Sequence, residues 1–159
     1  MSQKTNAVRI ISQAKLPFTE YEYDQFTNGL EIAQTLHENP HQVFKTLVTT
    51  SKSKKYYVFM IPVDKELDVK KAAQITNEKS IEMVKSKELF PLTGYVHGGC
   101  SPIGMKKFFP TFIDASALAF SEIFFSGGRI GLQVKMALSD LKKIIKIEVA
   151  SLTKENSTN

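Results

Sequence analysis

The chain has 159 residues, 42% of them hydrophobic and 23% charged, with a net charge of +5, which suits one domain over residues 1–159 with a sizeable core and points to an anionic partner such as RNA. No run approaches the ~20 apolar residues of a membrane span, and the polar start Met1-Ser2-Gln3-Lys4 lacks the apolar segment of a secretory signal. One cysteine, Cys100, allows no internal disulfide, so a cytoplasmic protein is expected.

Residues 5–16 read as a helix, because Ala7, Ile10, Ile11 and Ala14 share a face and Pro17 prevents continuation. Residues 18–24 alternate as a strand, and Asn28-Gly29 marks a turn before a helix over residues 30–37 that Asn39-Pro40 ends. Residues 43–50 and 56–61 are rich in β-branched and aromatic side chains, and the polar stretch 51–55 joins them as a hairpin whose tip carries Lys52, Lys54 and Lys55. A helix over 67–75, a strand over 81–84 and a short helical segment before Pro91 follow. Residues 111–114 form a short strand. Two further strands, 120–125 and 130–136, are linked through Ser126-Gly127-Gly128-Arg129, a tight-hairpin signal. Ser139-Asp140 is placed to cap a helix running to Ile145, residues 147–152 read as a last strand, and a disordered tail is expected over 153–159. Strands with scattered helices and no regular βαβ alternation argue for an α+β fold.

The stretch from Gly94 to Lys107 holds four of the eight glycines, Gly94, Gly98, Gly99 and Gly104, together with Pro102, Lys106 and Lys107. Glycine serves positive φ or close approach to the main chain, and a loop of this kind can turn several N–H groups toward one oxygen. A tight connection between strands is the plainer alternative. Lys45 stands out differently. In Val43-Phe44-Lys45-Thr46-Leu47-Val48 both faces of the strand are apolar, and an ammonium there either snorkels to an edge or waits for an anion.

His37-Glu38-Asn39-Pro40-His41 matches the H-E-x-x-H zinc pattern in letters only, since Pro40 breaks the continuous helix that would align both histidines; no metal and no cofactor are expected. His97 with Cys100 could be a base and a nucleophile, but nothing nearby singles out a stabilised thiolate.

Three segments in order carry a resemblance: Phe44-Lys45-Thr46-Leu47-Val48; Thr93-Gly94-Tyr95 with the run from Gly98 to Lys107; and Phe125-Ser126-Gly127-Gly128-Arg129 with Gly131-Leu132. Together they resemble the YbaK/EbsC family, free-standing aminoacyl-tRNA deacylases related to the editing domain inserted in bacterial prolyl-tRNA synthetases. The Gly-Cys-Ser-Pro-Ile-Gly-Met-Lys-Lys form is similar to the branch acting on Cys-tRNA(Pro), more than to those that remove alanine.

The resemblance implies a mixed β-barrel surrounded by helices and a role in translation fidelity. It implies that Lys45 is needed for activity at the 3′ end of the tRNA, with Gly98 and Ser126 beside it as catalytic positions. Tyr23, Thr46, Gly99, Cys100, Ser101, Pro102, Gly127 and Gly128 would bind the aminoacyl group, and Tyr21, on the face of Tyr23, could exchange with it. Lys52, Lys54, Lys55, Lys106 and Lys107 would follow the tRNA backbone. Aminoacyl-tRNA, Cys-tRNA(Pro) first, is the implied substrate of a monomer, with prolyl-tRNA synthetase as a further partner. A tRNA-end binding module without catalysis, a deacylase of other small aminoacyl groups using a bound water, and a thiol hydrolase using Cys100 are the alternatives.

Overall fold

Residues 4–23, 29–35 and 39–155 are described by the computed structural model. In chain order the elements are α1 (Asn6–Gln13), β1 (Thr19–Glu22), α2 (Gly29–Thr35), β2 (Phe44–Ser51), β3 (Tyr56–Pro62), α3 (Val69–Thr76), β4 (Ile81–Met83), α4 (Ser86–Thr93), β5 (Thr111–Asp114), β6 (Glu122–Ser126), β7 (Leu132–Ala137), α5 (Leu138–Ile144) and β8 (Ile147–Ala150). Short 3-10 turns occupy Pro40–Gln42 and Ala115–Ala119.

The strands make two sheets. β2 and β3 form an antiparallel hairpin with Phe44 opposite Pro62 and Lys45 opposite Ile61. β4 adds antiparallel to β2, β5 parallel to β3, and β8 parallel to β5. The second sheet has β7 between β1 and β6, both antiparallel to it. One parallel bridge, Val43 with Phe124, joins the two.

Helix α1 starts where Thr5 accepts the Val8 N–H at 3.1 Å, and its Ala7, Val8 and Ile11 are buried against Phe125, Val134 and Leu141 in the largest core cluster. Fully burying side chains such as Ile11 or Phe125 contributes ~1.5–3 kcal/mol each, so this face holds the N-terminal segment onto the second sheet. Asp68 caps α3 by accepting from Lys70 and Lys71, and Asn77 ends it in the left-handed region.

Several expectations are corrected. The expected β-barrel is not closed: among the described residues the sheets remain separate, because their edges share a single bridge instead of a ladder. Helix α4 continues through Pro91 to Thr93; only one turn follows the proline, and Gly94 then ends the helix with its N–H on Phe90 O at 2.8 Å. Ser139 and Asp140 lie inside α5; Ala137 holds the N-cap position without a side-chain bond, and Asp140 pairs with Lys143 at 3.1 Å. The Gly-Gly connection is a wider loop, residues 127–131, closed by Gly127 N–H on Leu132 O at 2.9 Å. Thr153 bridges Leu67 and Lys154 pairs with Glu66, so the chain is held at both residues where a disordered tail was expected to begin; residues 156–159 lie outside the described residues. Asn28, His37 and Glu38 also lie outside them, while Gly29 opens α2.

Candidate active site

β2 enters the molecule at the junction of the two sheets, and beside its first half lies a cavity of about 900 Å³. Of the residues singled out in the sequence, Tyr23, Lys45, Thr46, Gly98, Cys100 and Ser126 line it, with His97 at the same wall. The tyrosine ambiguity resolves geometrically. Tyr21 packs against Phe124 with ring centroids 5.4 Å apart, whereas Tyr23, one residue past β1, is tied to Gly131 O through its N–H at 3.0 Å and reaches the cavity.

Three lining side chains bury a polar atom that has no hydrogen-bond partner among the described residues: Tyr23 Oη, Thr46 Oγ1 and Gln133 Oε1. An unpaired buried polar group costs ~1–3 kcal/mol, so three around one space mark a place prepared for a polar ligand. Gln133 went unnoticed in the sequence. Between Leu132 and Val134 in β7 it occupies the polar phase of an ordinary strand alternation, and the only available signal was its facing neighbour Ser126; that face of the sheet meets the cavity and not solvent.

Lys45 is half-buried, and burial holds its ammonium below the ordinary pKa of 10.5, with Glu66 and Asp64 acting in the opposite sense. Neither acid is within ion-pair distance of it. Asp64 Oδ2 meets His41 Nδ1 at 2.6 Å and Glu66 meets Lys154 at 3.1 Å. Among the described residues no aspartate or glutamate lines the cavity, and Lys45 is its one lysine or arginine. A partly desolvated cation that makes no ion pair among the described residues is free to take up an anion.

The two glycine segments form the opposite wall by packing on each other. Gly98 has φ +86°, and a Cβ on Gly99 would stand 2.8 Å from Ile130 N. Gly128, at φ +107°, leaves room for Thr5 and Tyr95. Thr5 Oγ1 donates to Gly127 O, Asn6 Nδ2 donates to Gly104 O at 2.8 Å, and Tyr95 Oη donates to Ile103 O at 2.6 Å, so the start of α1 pins both segments. Within this wall the Gly99 N–H is used on Val96 O, while the Gly98 and Cys100 N–H groups donate no bond among the described residues.

Not every expected residue reaches the cavity. Gly99, Ser101, Pro102, Gly127 and Gly128 do not line it. Ser101 is fully buried and accepts the Ile103 N–H at 3.2 Å, and Pro102 lines a separate cavity of about 130 Å³ behind the loop. These residues shape the backbone that presents Gly98 and Cys100. Cys100 is buried and its thiol is pushed up to about 12, chiefly by desolvation, which is opposite to the activation a nucleophile needs. Residues 40–42 form a 3-10 turn opened by Pro40, and no acid–histidine–cysteine group able to hold a metal exists among the described residues.

The lysines fall in separate places. Lys52, Lys54 and Lys55 occupy the hairpin tip, seven or more residues and thus ~23 Å along β2 from Lys45. Lys106 lies over the Phe90 ring at 5.2 Å from its centroid, and Lys107 lines the smaller cavity. No helix among the described residues is long and apolar enough to cross a membrane.

Residues 28–144 match the model of the aminoacyl-tRNA editing domain. The chain is 39% identical over 154 residues to an Enterococcus faecalis (strain ATCC 700802 / V583) protein named "Putative Cys-tRNA(Pro)/Cys-tRNA(Cys) deacylase EbsC", covering 95% of this chain and 94% of that one. Two solved structures share the fold. One, described as a "putative trans-editing enzyme for prolyl tRNA synthetase", has a TM-score of 0.82 at 24% identity over 97% of this chain and 100% of that one; the other, hypothetical protein APE2540, has a TM-score of 0.86 at 21% identity over 94% and 99%. Sequence match, fold and the cavity where the three resembling segments meet agree: the chain belongs to the aminoacyl-tRNA editing domain family, in its YbaK/EbsC-like form.

Proposed function

We propose that this protein is a trans-acting deacylase that releases the amino acid from misacylated tRNA, with Cys-tRNA(Pro) as its main substrate. The observation that carries this is the pairing, in one cavity, of an unneutralised half-buried Lys45 with three unpartnered buried polar atoms. A phosphate of the terminal nucleotide answers the lysine, and the aminoacyl ester answers the polar atoms. The name of the Enterococcus relative supports the choice of cysteine and of tRNA(Pro).

Among the described residues the cavity has no carboxylate to serve as a base, and burial keeps its Cys100 thiol protonated. The attacking group is therefore assigned to the substrate. The cysteinyl sulfur, as thiolate, attacks its own carbonyl carbon; a C–S bond forms, the C–O bond to the ribose breaks, and the departing oxygen takes up the proton the thiol gave up. The cyclic thioester then opens with water in solution. An intramolecular attack avoids the entropy of recruiting a second reactant. Gly98 and Cys100 N–H groups stand beside the developing oxyanion, Ser126, Tyr23 and Thr46 hold the acyl end, and Lys45 fixes the nucleotide.

Lysine–phosphate contacts carry little sequence information, so the choice among tRNAs falls to a partner, read here as prolyl-tRNA synthetase acting with a monomer of this chain. Single-turnover deacylation of Cys-tRNA(Pro), Cys-tRNA(Cys) and Pro-tRNA(Pro), with and without the synthetase, tests the proposal. Rapid loss of cysteine and retention of proline are expected. Binding of all three without hydrolysis would make the protein a tRNA-end binding module.

A further inference from the structure

We infer that Gln133 is the receptor for the substrate's α-amino group, an assignment that rests on the deacylase reading and gives that site one more contact. Gln133 is 5% exposed, sits on the central strand of the β1-β7-β6 sheet, and faces Tyr21 on one neighbour and Ser126 on the other. Its Oε1 is buried at the cavity and accepts from nothing among the described residues. Of the three unpartnered atoms, Tyr23 Oη and Thr46 Oγ1 can donate or accept, but a carboxamide oxygen can only accept. Whatever fills the cavity must bring an N–H or O–H to it.

An aminoacyl-tRNA end offers such donors in two places: the α-amino group, with the weakly donating thiol, on the cysteinyl residue, and the ribose hydroxyl and adenine amino group on the terminal nucleotide. Position separates them. Lys45 belongs to β2, in the other sheet, which places the phosphate and ribose on that side. Gln133 belongs to the sheet that also supplies Ser126 and the 127–131 loop against which Gly99 is packed, the side holding the acyl group. The α-amino group is attached to that acyl carbon chain, so it is the donor within reach. A neutral acceptor also suits the chemistry. An α-amino group titrates near ~8, so both its forms are present at neutral pH, and a carboxamide oxygen accepts from either without a second buried charge. Because a carboxamide takes up no proton, Gln133 orients the amine and leaves the substrate thiol free to ionise.

Two non-hydrolysable probes isolate this contact: adenosine carrying a cysteinyl group through a 3′-amide, and the same molecule with 3-mercaptopropionyl, which lacks only the α-amino group. Calorimetric affinities are compared for wild type, Gln133→Met, which keeps the bulk but not the acceptor, and Gln133→Glu, which keeps an acceptor. Wild type should prefer the cysteinyl amide by ~10-fold or more. Gln133→Met should bind both amides alike, as weakly as wild type binds the desamino one, and Gln133→Glu should restore the preference. Equal losses for both amides in Gln133→Met, or no preference in wild type, would overturn the assignment; the wild-type comparison and Gln133→Glu decide it even should Gln133→Met fail to fold. A wild-type protein that discriminates the two amides yet leaves Cys-tRNA(Pro) intact would sink the deacylase reading alone, while an active enzyme without discrimination would sink the role of Gln133 alone.

Discussion

The main chain of Gly99 lies so close to that of Ile130 that a Cβ on the first would stand 2.8 Å from the nitrogen of the second and 2.9 Å from the carbonyl carbon of Arg129. Backbone cannot move aside as a side-chain tip can, so Gly99→Ala has to part the two glycine segments. A destabilisation of ~1–3 kcal/mol is expected, as for overpacking elsewhere. Gly98 and Ile130 both line the cavity, so deacylation should fall with it. Gly94→Ala is the control. Gly94 also has positive φ, but its Cβ would meet only Lys106 side-chain atoms at 3.5 Å or more, so it should lose ~1–2 kcal/mol of stability and keep its activity. Thermal melting beside single-turnover rates separates the two, and an active Gly99→Ala would show that the packing of these segments does not set the site.

Lys45 should be needed for substrate and dispensable for folding. Among the described residues its charge makes no ion pair, and the nearby Asp64 and Glu66 keep their own partners His41 and Lys154, so Lys45→Ala orphans no carboxylate, while a phosphate in the complex would lose a charge-assisted contact of ~2 kcal/mol, about 30-fold in kcat/KM. The lowered pKa sets a sign. Between its folded value and 10.5 the unfolded chain binds the extra proton, so the Lys45 contribution makes stability rise with pH through that window. Affinity for the 3′-amide bearing a 5′-phosphate should decline on the same limb, at a pH below that of a free lysine, and Lys45→Arg should remove the decline. An alkaline limb unchanged in Lys45→Arg would assign it to another group.

Cys100 is expected to be a packing residue. With its thiol at about 12, it holds its proton at neutral pH, and Cys100→Ala should deacylate at close to the wild-type rate and resist no slower step. Iodoacetamide should label the native protein far more slowly than the unfolded one. The linkage runs opposite to that of Lys45: between 9.0 and about 12 the unfolded thiol ionises first, so stability falls as pH rises through this range. A Cys100→Ala variant without activity but with a native melting curve would restore the thiol as a candidate nucleophile.

What could be read from sequence was local. A lysine within an apolar strand and two dense glycine segments are departures from propensity, and those are the features the cavity brings together. What could not be read was relational. Whether the sheets close depends on edges far apart in the chain, and one bridge at Val43 and Phe124 is invisible to periodicity. Gln133 obeys the alternation rule, and only the tertiary fold turns its polar face from solvent to a cavity. Ser101, Pro102 and Gly127 are where glycine-loop chemistry would put ligand contacts, yet Ser101 Oγ accepts the Ile103 N–H, Gly127 O accepts from Thr5, and Pro102 lines the smaller cavity. Pro91 reads as a stop, yet with only Leu92 and Thr93 after it in α4 the proline removes just its own N–H bond to the preceding turn.

The basic residues give a salt prediction that distinguishes their locations. If the hairpin tip and Lys106 both follow the tRNA, log K should fall linearly with log salt, and each lysine removed should lower the slope by roughly 0.7–0.9. The ~23 Å between Lys45 and Lys52 exceeds a Debye length of ~8 Å at physiological salt, so the two act independently. Replacing Lys52, Lys54 and Lys55 together should therefore flatten the slope without changing the rate of bound substrate. An unchanged slope in the triple variant would leave the hairpin tip as solvated surface.

The substrate-thiol mechanism makes the sharpest demand. A serine ester is nearly the same shape as a cysteine ester and keeps the α-amino group, so it fits the cavity and meets the same polar atoms. It differs in the attacking group. A thiol titrates near 8.5 and supplies a few per cent of thiolate at neutral pH, whereas a hydroxyl supplies essentially none, and among the described residues no carboxylate lines the cavity to help it. Ser-tRNA(Pro) should thus bind as Cys-tRNA(Pro) does and react far more slowly, the difference lying in the single-turnover rate and not in the half-saturating enzyme concentration. The rate for Cys-tRNA(Pro) should also rise with pH along the ionisation of the substrate thiol, in wild type and in Cys100→Ala alike. Equal rates for the two substrates would remove the thiol from the mechanism and leave water, held by Gly98, Cys100 and the terminal ribose, as the attacking group.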